Sequence, residues 1–180
     1  VTYEYKVWRG IVEDDALESV AAIPGTPYIC AGSTYETGLG IYDGNYRDAY
    51  LLLFDVEKEA VVHRSQPVKG GKLIVDLHYY NGLMYGLVSG GRLFAYDYVK
   101  RETVTVKKLP VNNVLWPGLH ITEKGVLYFA GDQTLYRMNL PEGDIQTVEK
   151  VPDWILGFVV DEEDNKLYGS VKSTLFCIDL

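Results

Sequence analysis

The segment TLFCIDL, residues 174–180, packs apolar residues as a short strand does and closes on Asp179. A short polar side chain at a strand end bonds the backbone of the turn that follows. Three other segments align on it: LLLFD at 51–55, LFAYD at 93–97 and LYRMN at 135–139. Each begins with Leu, carries a large apolar residue in fourth place and ends in Asp or Asn. The closing residues Asp55, Asp97, Asn139 and Asp179 stand 42, 42 and 40 residues apart. Self-similarity at such a period marks a repeated supersecondary unit that buries its faces only by stacking on its neighbours.

More of the unit recurs around these four segments. GLMYG (82–86), GVLYF (125–129) and KLYGS (166–170) precede three of them, with PYICAG (27–32) as a looser first copy. Further upstream lie ESVAAI (18–23), IVDLHY (74–79), PGLHIT (117–122) and LGFVVD (156–161). Three copies run on into AVVHR (60–64), TVTVKK (103–108) and IQTVEK (145–150). Asn81-Gly82 and Gly90-Gly91 punctuate the hairpins, and the strands are rich in β-branched and aromatic residues. Each unit is therefore four strands, a to d, and the expected fold is all-β. A period of about 40–45 residues with four strands per unit predicts a β-propeller of four blades. The blades are expected at about 16–66, 72–109, 115–151 and 154–180, the whole chain forming one domain of a larger protein.

The fourth unit stops after its third strand. Residues 1–9 alternate Val1, Tyr3, Tyr5 and Val7 with Thr2, Glu4 and Lys6, the pattern of a half-exposed outer strand. They are expected to complete the last blade, which removes an exposed sheet edge. The inner positions of strand a, Ser19, Asp76, Gly118 and Gly157, are small enough for a narrow ring of four. Two alternatives stay open: an eight-bladed ring built by two chains that exchange first strands, and a fragment of a longer propeller. The chain begins at Val1, which suggests that it is processed or cut from something longer.

On the four Leu-x-x-Ω-Asp/Asn motifs (Ω being a large apolar residue) and the Leu-Tyr-Gly strands, the chain resembles β-propeller repeat proteins. The resemblance is to the bacterial YVTN, quinoprotein-like and WD40-like group and covers essentially the whole length. The large apolar residue with Asp or Asn stands where WD40 repeats carry Trp-Asp. The Gly-His pair of those repeats and the kelch Gly-Gly signature are absent.

A net charge of −8 argues against a nucleic-acid surface, which needs Lys and Arg to neutralise phosphates. No apolar run reaches the roughly 18 residues of a membrane span, so no membrane insertion is expected. Cys30 and Cys177 lie in apolar strand-like runs and are expected to be buried thiols rather than a disulfide. The compartment is not fixed by the sequence, an extracytoplasmic one being preferred.

Candidate functional residues fall in three places. The connection at 34–49, TYETGLGIYDGNYRDA, is far longer than its counterparts and holds Tyr35, Glu36, Tyr42, Asp43, Asn45, Tyr46, Arg47 and Asp48. Aromatic faces with directional polar groups suit a sugar or a peptide; the alternative is a solvated insertion packed on the neighbouring blade. Trp116 and Trp154 occupy similar places in the d–a segments of consecutive blades and are expected near the axis, as plugs of the ring or as a ligand platform. His78 and His120 correspond in consecutive repeats with Asp76 nearby, a candidate channel group or a hydrogen-bonded structural pair. The run DEEDN (161–165) lacks calcium-loop spacing and reads as a hairpin. There is no Gly-x-Ser-x-Gly, His-Glu-x-x-His, Cys-x-x-Cys or phosphate-binding glycine loop. Propeller hydrolases, as a family, hold a metal with carboxylates and amides in the channel, a pattern the inner positions do not match. No catalytic residue, metal ligand or cofactor is therefore assigned. The leading expectation is a non-catalytic module, monomer or strand-swapped homodimer, that binds a protein or glycan through its loop-bearing face. The alternatives are a small-molecule hydrolase, lactonase or lyase using the axial channel, and a structural or self-assembly unit.

Overall fold

The computed structural model describes residues 5–12, 16–34 and 47–180. Among them there is no helix, and the strands form four antiparallel sheets, each a simple meander. The first sheet is β1 (Ala16–Ala22), β2 (Tyr28–Thr34), β3 (Leu51–Asp55) and β4 (Ala60–Ser65). The second is β5 (Ile74–Tyr80), β6 (Leu83–Val88), β7 (Arg92–Asp97) and β8 (Glu102–Lys108). The third is β9 (Val114–Ile121), β10 (Val126–Gly131), β11 (Thr134–Asn139) and β12 (Gln146–Lys150). The fourth has three strands, β13 (Ile155–Asp161), β14 (Lys166–Val171) and β15 (Thr174–Asp179).

The residue that closes the repeat motif works as its chemistry predicts in the first two copies. Asp55 Oδ1 accepts from the N–H groups of Glu57 and Lys58, both at 3.0 Å. Asp97 Oδ1 accepts from Val99 and Lys100 at 3.0 and 2.9 Å. Lys58 and Lys100 return their ammonium groups to Asp55 and Asp97. The Lys58 side chain holds the Asp55 carboxyl below its ordinary range, and the Lys100 N–H does the same for Asp97. In the third copy a backbone bond takes over, Gly143 N–H donating to the Asn139 carbonyl at 2.7 Å.

The sheets stack in series. Inner strand β1 lies beside β5, β5 beside β9 and β9 beside β13. The second and third sheets thus each have one face toward the preceding sheet and one toward the following sheet. Ile23, Cys30, Leu51 and Leu53 of the first unit meet Ile74, Leu77, Met84, Phe94 and Tyr96 of the second. Tyr85, Leu87, Leu93 and Ala95 meet Leu119, Ile121, Leu127, Phe129 and Met138 of the third. Tyr128, Ala130 and Leu135 meet Ile155, Val160, Leu167 and Val171 of the fourth. Alternate residues of the middle strands of the second and third sheets therefore serve opposite interfaces. This is why β6, β7 and β10 read as nearly continuous apolar runs, whereas the outer strands β8 and β12 are mostly exposed. A polar contact repeats at the inner strands. Ser19 Oγ donates to the Ile74 carbonyl at 2.9 Å, and Asp76 Oδ2 accepts from Gly118 and Leu119 N–H at 3.1 Å. Ser19 and Asp76 hold the same register position, opposite Gly32 and Leu87.

Two expectations need correction. The described part of the N-terminal segment, residues 5–9, forms no strand and does not join β15. It lies on the first sheet: Trp8 packs on Phe54 with ring centroids 5.1 Å apart, and Lys6 Nζ reaches Glu59 Oε1 at 2.7 Å. Burying the Trp8 ring on Phe54 outweighs what Tyr5 and Val7, both exposed, gain from the alternation. Among the described residues no comparable packing joins β13 to β1. The second correction concerns Cys177, which is exposed, whereas Cys30 is buried and its thiol is pushed up to about 12 by desolvation. Sheet packing covers the face of Cys30 and no sheet of the described chain covers that of Cys177.

Gly86 and Gly169 are equivalent positions at which a ring of the neighbouring strand lies flat on the backbone. A Cβ at Gly86 would stand 2.2 Å from the Phe94 ring, and one at Gly169 2.2 Å from the Phe176 ring. Phe94 is fully buried and has no room to yield. Gly86→Ala is expected to cost about 1–3 kcal/mol by overpacking. Urea unfolding followed by tryptophan fluorescence measures this as a lowered midpoint at unchanged slope.

Candidate functional site

The inner strands bring the sequence-predicted histidines together. His78, on β5 opposite Tyr85, and His120, on β9 opposite Tyr128, hold the same register position in consecutive sheets. Their rings meet edge to face with centroids 5.7 Å apart, both half-buried. Burial and the His120 charge depress His78 below the ordinary histidine value. Burial also depresses His120, opposed by the carboxylates of Glu162 and Asp76. His120 Nε2 lies 3.7 Å from Glu162 Oε1, beyond hydrogen-bonding distance, so the contact is Coulombic and present only when the ring is protonated. Asp76, two residues before His78, is raised by desolvation, an effect its three backbone N–H donors oppose.

Glu162 was not marked out by sequence as a partner of His120. It sits in the acidic run 161–165, which is the β13–β14 hairpin as expected, with Asp161 Oδ1 accepting from Asp164 N–H. Glu162 also accepts the Glu123 N–H through both carboxylate oxygens, at 3.1 and 3.0 Å. It thereby ties the β9–β10 turn to the fourth sheet. Only superposition of the four units would have placed a hairpin of one repeat against the inner strand of another. Among the described residues no group of three or more His, Cys, Asp and Glu is gathered to hold a metal ion.

The opposite ends of the strands carry the longer connections. The β4–β5, β8–β9 and β12–β13 connections share one end of the sheets with the β2–β3, β6–β7 and β10–β11 hairpins, since they bond one another. Ala49 N–H donates to the Gly71 carbonyl, Leu109 N–H to Gly91 and Val151 N–H to Gln133. Of the long connection, Tyr35, Glu36, Tyr42, Asp43, Asn45 and Tyr46 lie outside the described residues. Arg47 is half-buried where the connection returns, and Asp48 anchors that return by accepting the Gly70 N–H at 2.7 Å. Trp116 is part of β9, and its side chain lies outside what is described.

Trp154, by contrast, is exposed at the start of β13. Its N–H donates to Asp153 Oδ1 at 2.8 Å, and Asp153 pairs with Lys172 across the β14–β15 hairpin. The Lys172 side chain holds Asp153 below the ordinary carboxylate range. Beside this pair lies a shallow cavity of about 340 Å³, lined by residues 151–153, residues 171–174 and the Phe176 ring. Its walls combine an apolar floor with a fixed carboxylate, an ammonium and two hydroxyls. The histidine pair and this cavity are thus distinct places on the chain.

No protein-family model matches this chain, and no curated protein matches it.

His63, half-buried beside Tyr96, is also depressed, by burial and by the Arg101 charge. All three histidines are therefore expected to remain neutral in the folded chain at pH values where the unfolded chain begins to bind protons, just below about 6.5. The unfolded state then holds more protons, so stability falls as pH drops through that window and is retained above it. Melting temperatures at pH 7 and pH 5.5 are expected to show this fall. His78→Phe, which keeps a ring against His120, is expected to reduce it.

Proposed function

We propose that the chain is a β-propeller module that binds a protein or glycan partner through its connection-bearing end without catalysing a reaction on it. The propeller reading is supported by the serial packing of β1, β5, β9 and β13 and by the resemblance to the YVTN, quinoprotein-like and WD40-like repeats. The observation that carries the binding reading is the cavity of about 340 Å³ lined by Asp153, Lys172 and Phe176 at that end. Its size lies within the range of small-ligand sites. Phe176 in its lining and the Asp153–Lys172 pair offer an apolar contact together with directional acceptors and donors.

Glycan and peptide arrays probed with the purified chain test this reading. Lys172→Ala is expected to weaken any ligand found there by about tenfold or more, as loss of a charged hydrogen-bond donor does. The melting temperature should stay nearly unchanged, because the Lys172 side chain is exposed. Ligands that bind Lys172→Ala as well as the wild type, or arrays without a ligand, would sink the reading.

A second reading, a small-molecule hydrolase, lactonase or lyase, is favoured by one observation, the His78–His120 pair beside Asp76. Turnover of an ester or lactone panel that disappears in His120→Ala would carry it instead.

A further inference from the structure

The following faces of the sheets share most of their positions, and among the described residues no sheet packs on that of the fourth. Leu51, Leu93 and Leu135 begin the repeat motif on β3, β7 and β11 and are 1%, 4% and 0% exposed. Leu175, the same position on β15, is 83% exposed. Tyr85 and Tyr128, at equivalent register on β6 and β10, are each 4% exposed, whereas Tyr168 on β14 is 40% exposed. Val159 and Cys177 on the same face are exposed too. In the first three sheets the cover is the preceding face of the next unit.

Among the described residues no sheet packs on the preceding face of the first sheet either. Val20 on β1 holds the register position of Leu77 and Leu119, which are buried against the sheet before them, yet Val20 is 67% exposed. Trp8 and Ile11 line that face without filling it, and leave an apolar hollow bounded also by Leu17, Val20, Ile29 and Phe54. Exposed apolar residues thus stand at both ends of one stack, on faces that elsewhere in the same chain fit each other.

We propose that the following face of the fourth sheet, carrying Val159, Tyr168 and Leu175, docks on the preceding face of the first sheet of a second copy of this chain, and reciprocally. Two copies joined head to tail by the same contact twice make a closed ring of eight sheets, within the range of propeller sizes. The contact requires no exchange of strands. It places Cys177 at the joint, at the position that Leu53 and Ala95 hold buried in the first two units and Arg137 holds exposed in the third.

The test is molar mass by light scattering across protein concentration, on the full chain and on Leu175→Lys. Leu175 is exposed in the single chain, so the substitution leaves each copy folded, while in the joint it buries an unpaired charge. The expected result is twice 20.3 kDa for the wild type, and at least about 100-fold weaker association for Leu175→Lys at an unchanged circular dichroism spectrum. Cys177 should react with a thiol reagent slowly in the wild type and fast in Leu175→Lys, the buried Cys30 staying inert in both. A wild type at 20.3 kDa throughout overturns the proposal, as does a mass that grows beyond two copies with concentration. So does a dimer that Leu175→Lys and Val20→Lys both leave intact. The inference rests on the propeller reading, but a monomeric result leaves binding at the connection-bearing end, probed through Lys172, untouched.

Discussion

The structure depends on one interaction repeated along the chain, the packing of one sheet's following face on the next sheet's preceding face. A four-stranded meander buries little by itself, and its middle strands here are apolar on both sides. Each sheet is therefore stable only with neighbours, as in other repeat architectures where interfaces between units carry much of the stability. The apolar clusters between the units are that interaction in three copies. Ring-on-glycine contacts at Gly86 and Gly169 pack the strands within two of the sheets.

The same constraint explains the placement of polar groups. At the inner strands the sheets come closest, and backbone groups facing the neighbouring sheet need partners. Ser19 and Asp76 supply them across two of the three junctions. At the corresponding places of the third and fourth sheets stand Gly118 and Gly157, which have no side chain to reach across; Glu162 spans the last junction from a hairpin instead. The histidines follow from this geometry, since equivalent positions in adjacent sheets are neighbours by construction. Their burial keeps them neutral near physiological pH, a state suited to a packed pair as much as to chemistry.

The connection-bearing end differs in kind. There the chain varies from unit to unit, in the long segment after β2, in Trp154, and in the Asp153–Lys172 pair. Variation on a rigid scaffold is where recognition is usually carried. The repeat thus divides the molecule into a periodic part that holds the stack together and an aperiodic end that distinguishes this chain from another stack of the same kind.

All-β character, four units and the strands within them were legible in the sequence, because the repeat motif, β-branched and aromatic residues and turn residues act locally. The β3 strand matches its motif residue for residue, and Asp55 and Asp97 cap their turns as short polar side chains do. The correspondence of His78 with His120 was legible for the same reason, a register inherited from the repeat. What the sequence did not reveal was where the ends of the stack go. The alternation at residues 1–9 reads equally as an outer strand or as an arm, and Trp8 finding Phe54 decided it. Cys30 and Cys177 sit in similar apolar runs, and whether a neighbouring sheet covers each face separates a buried thiol from an exposed one. Glu162 beside His120 likewise arises from two segments that only stacking brings together. Local patterning determined the units; long-range contact, which no window of sequence contains, decided which of their faces are buried.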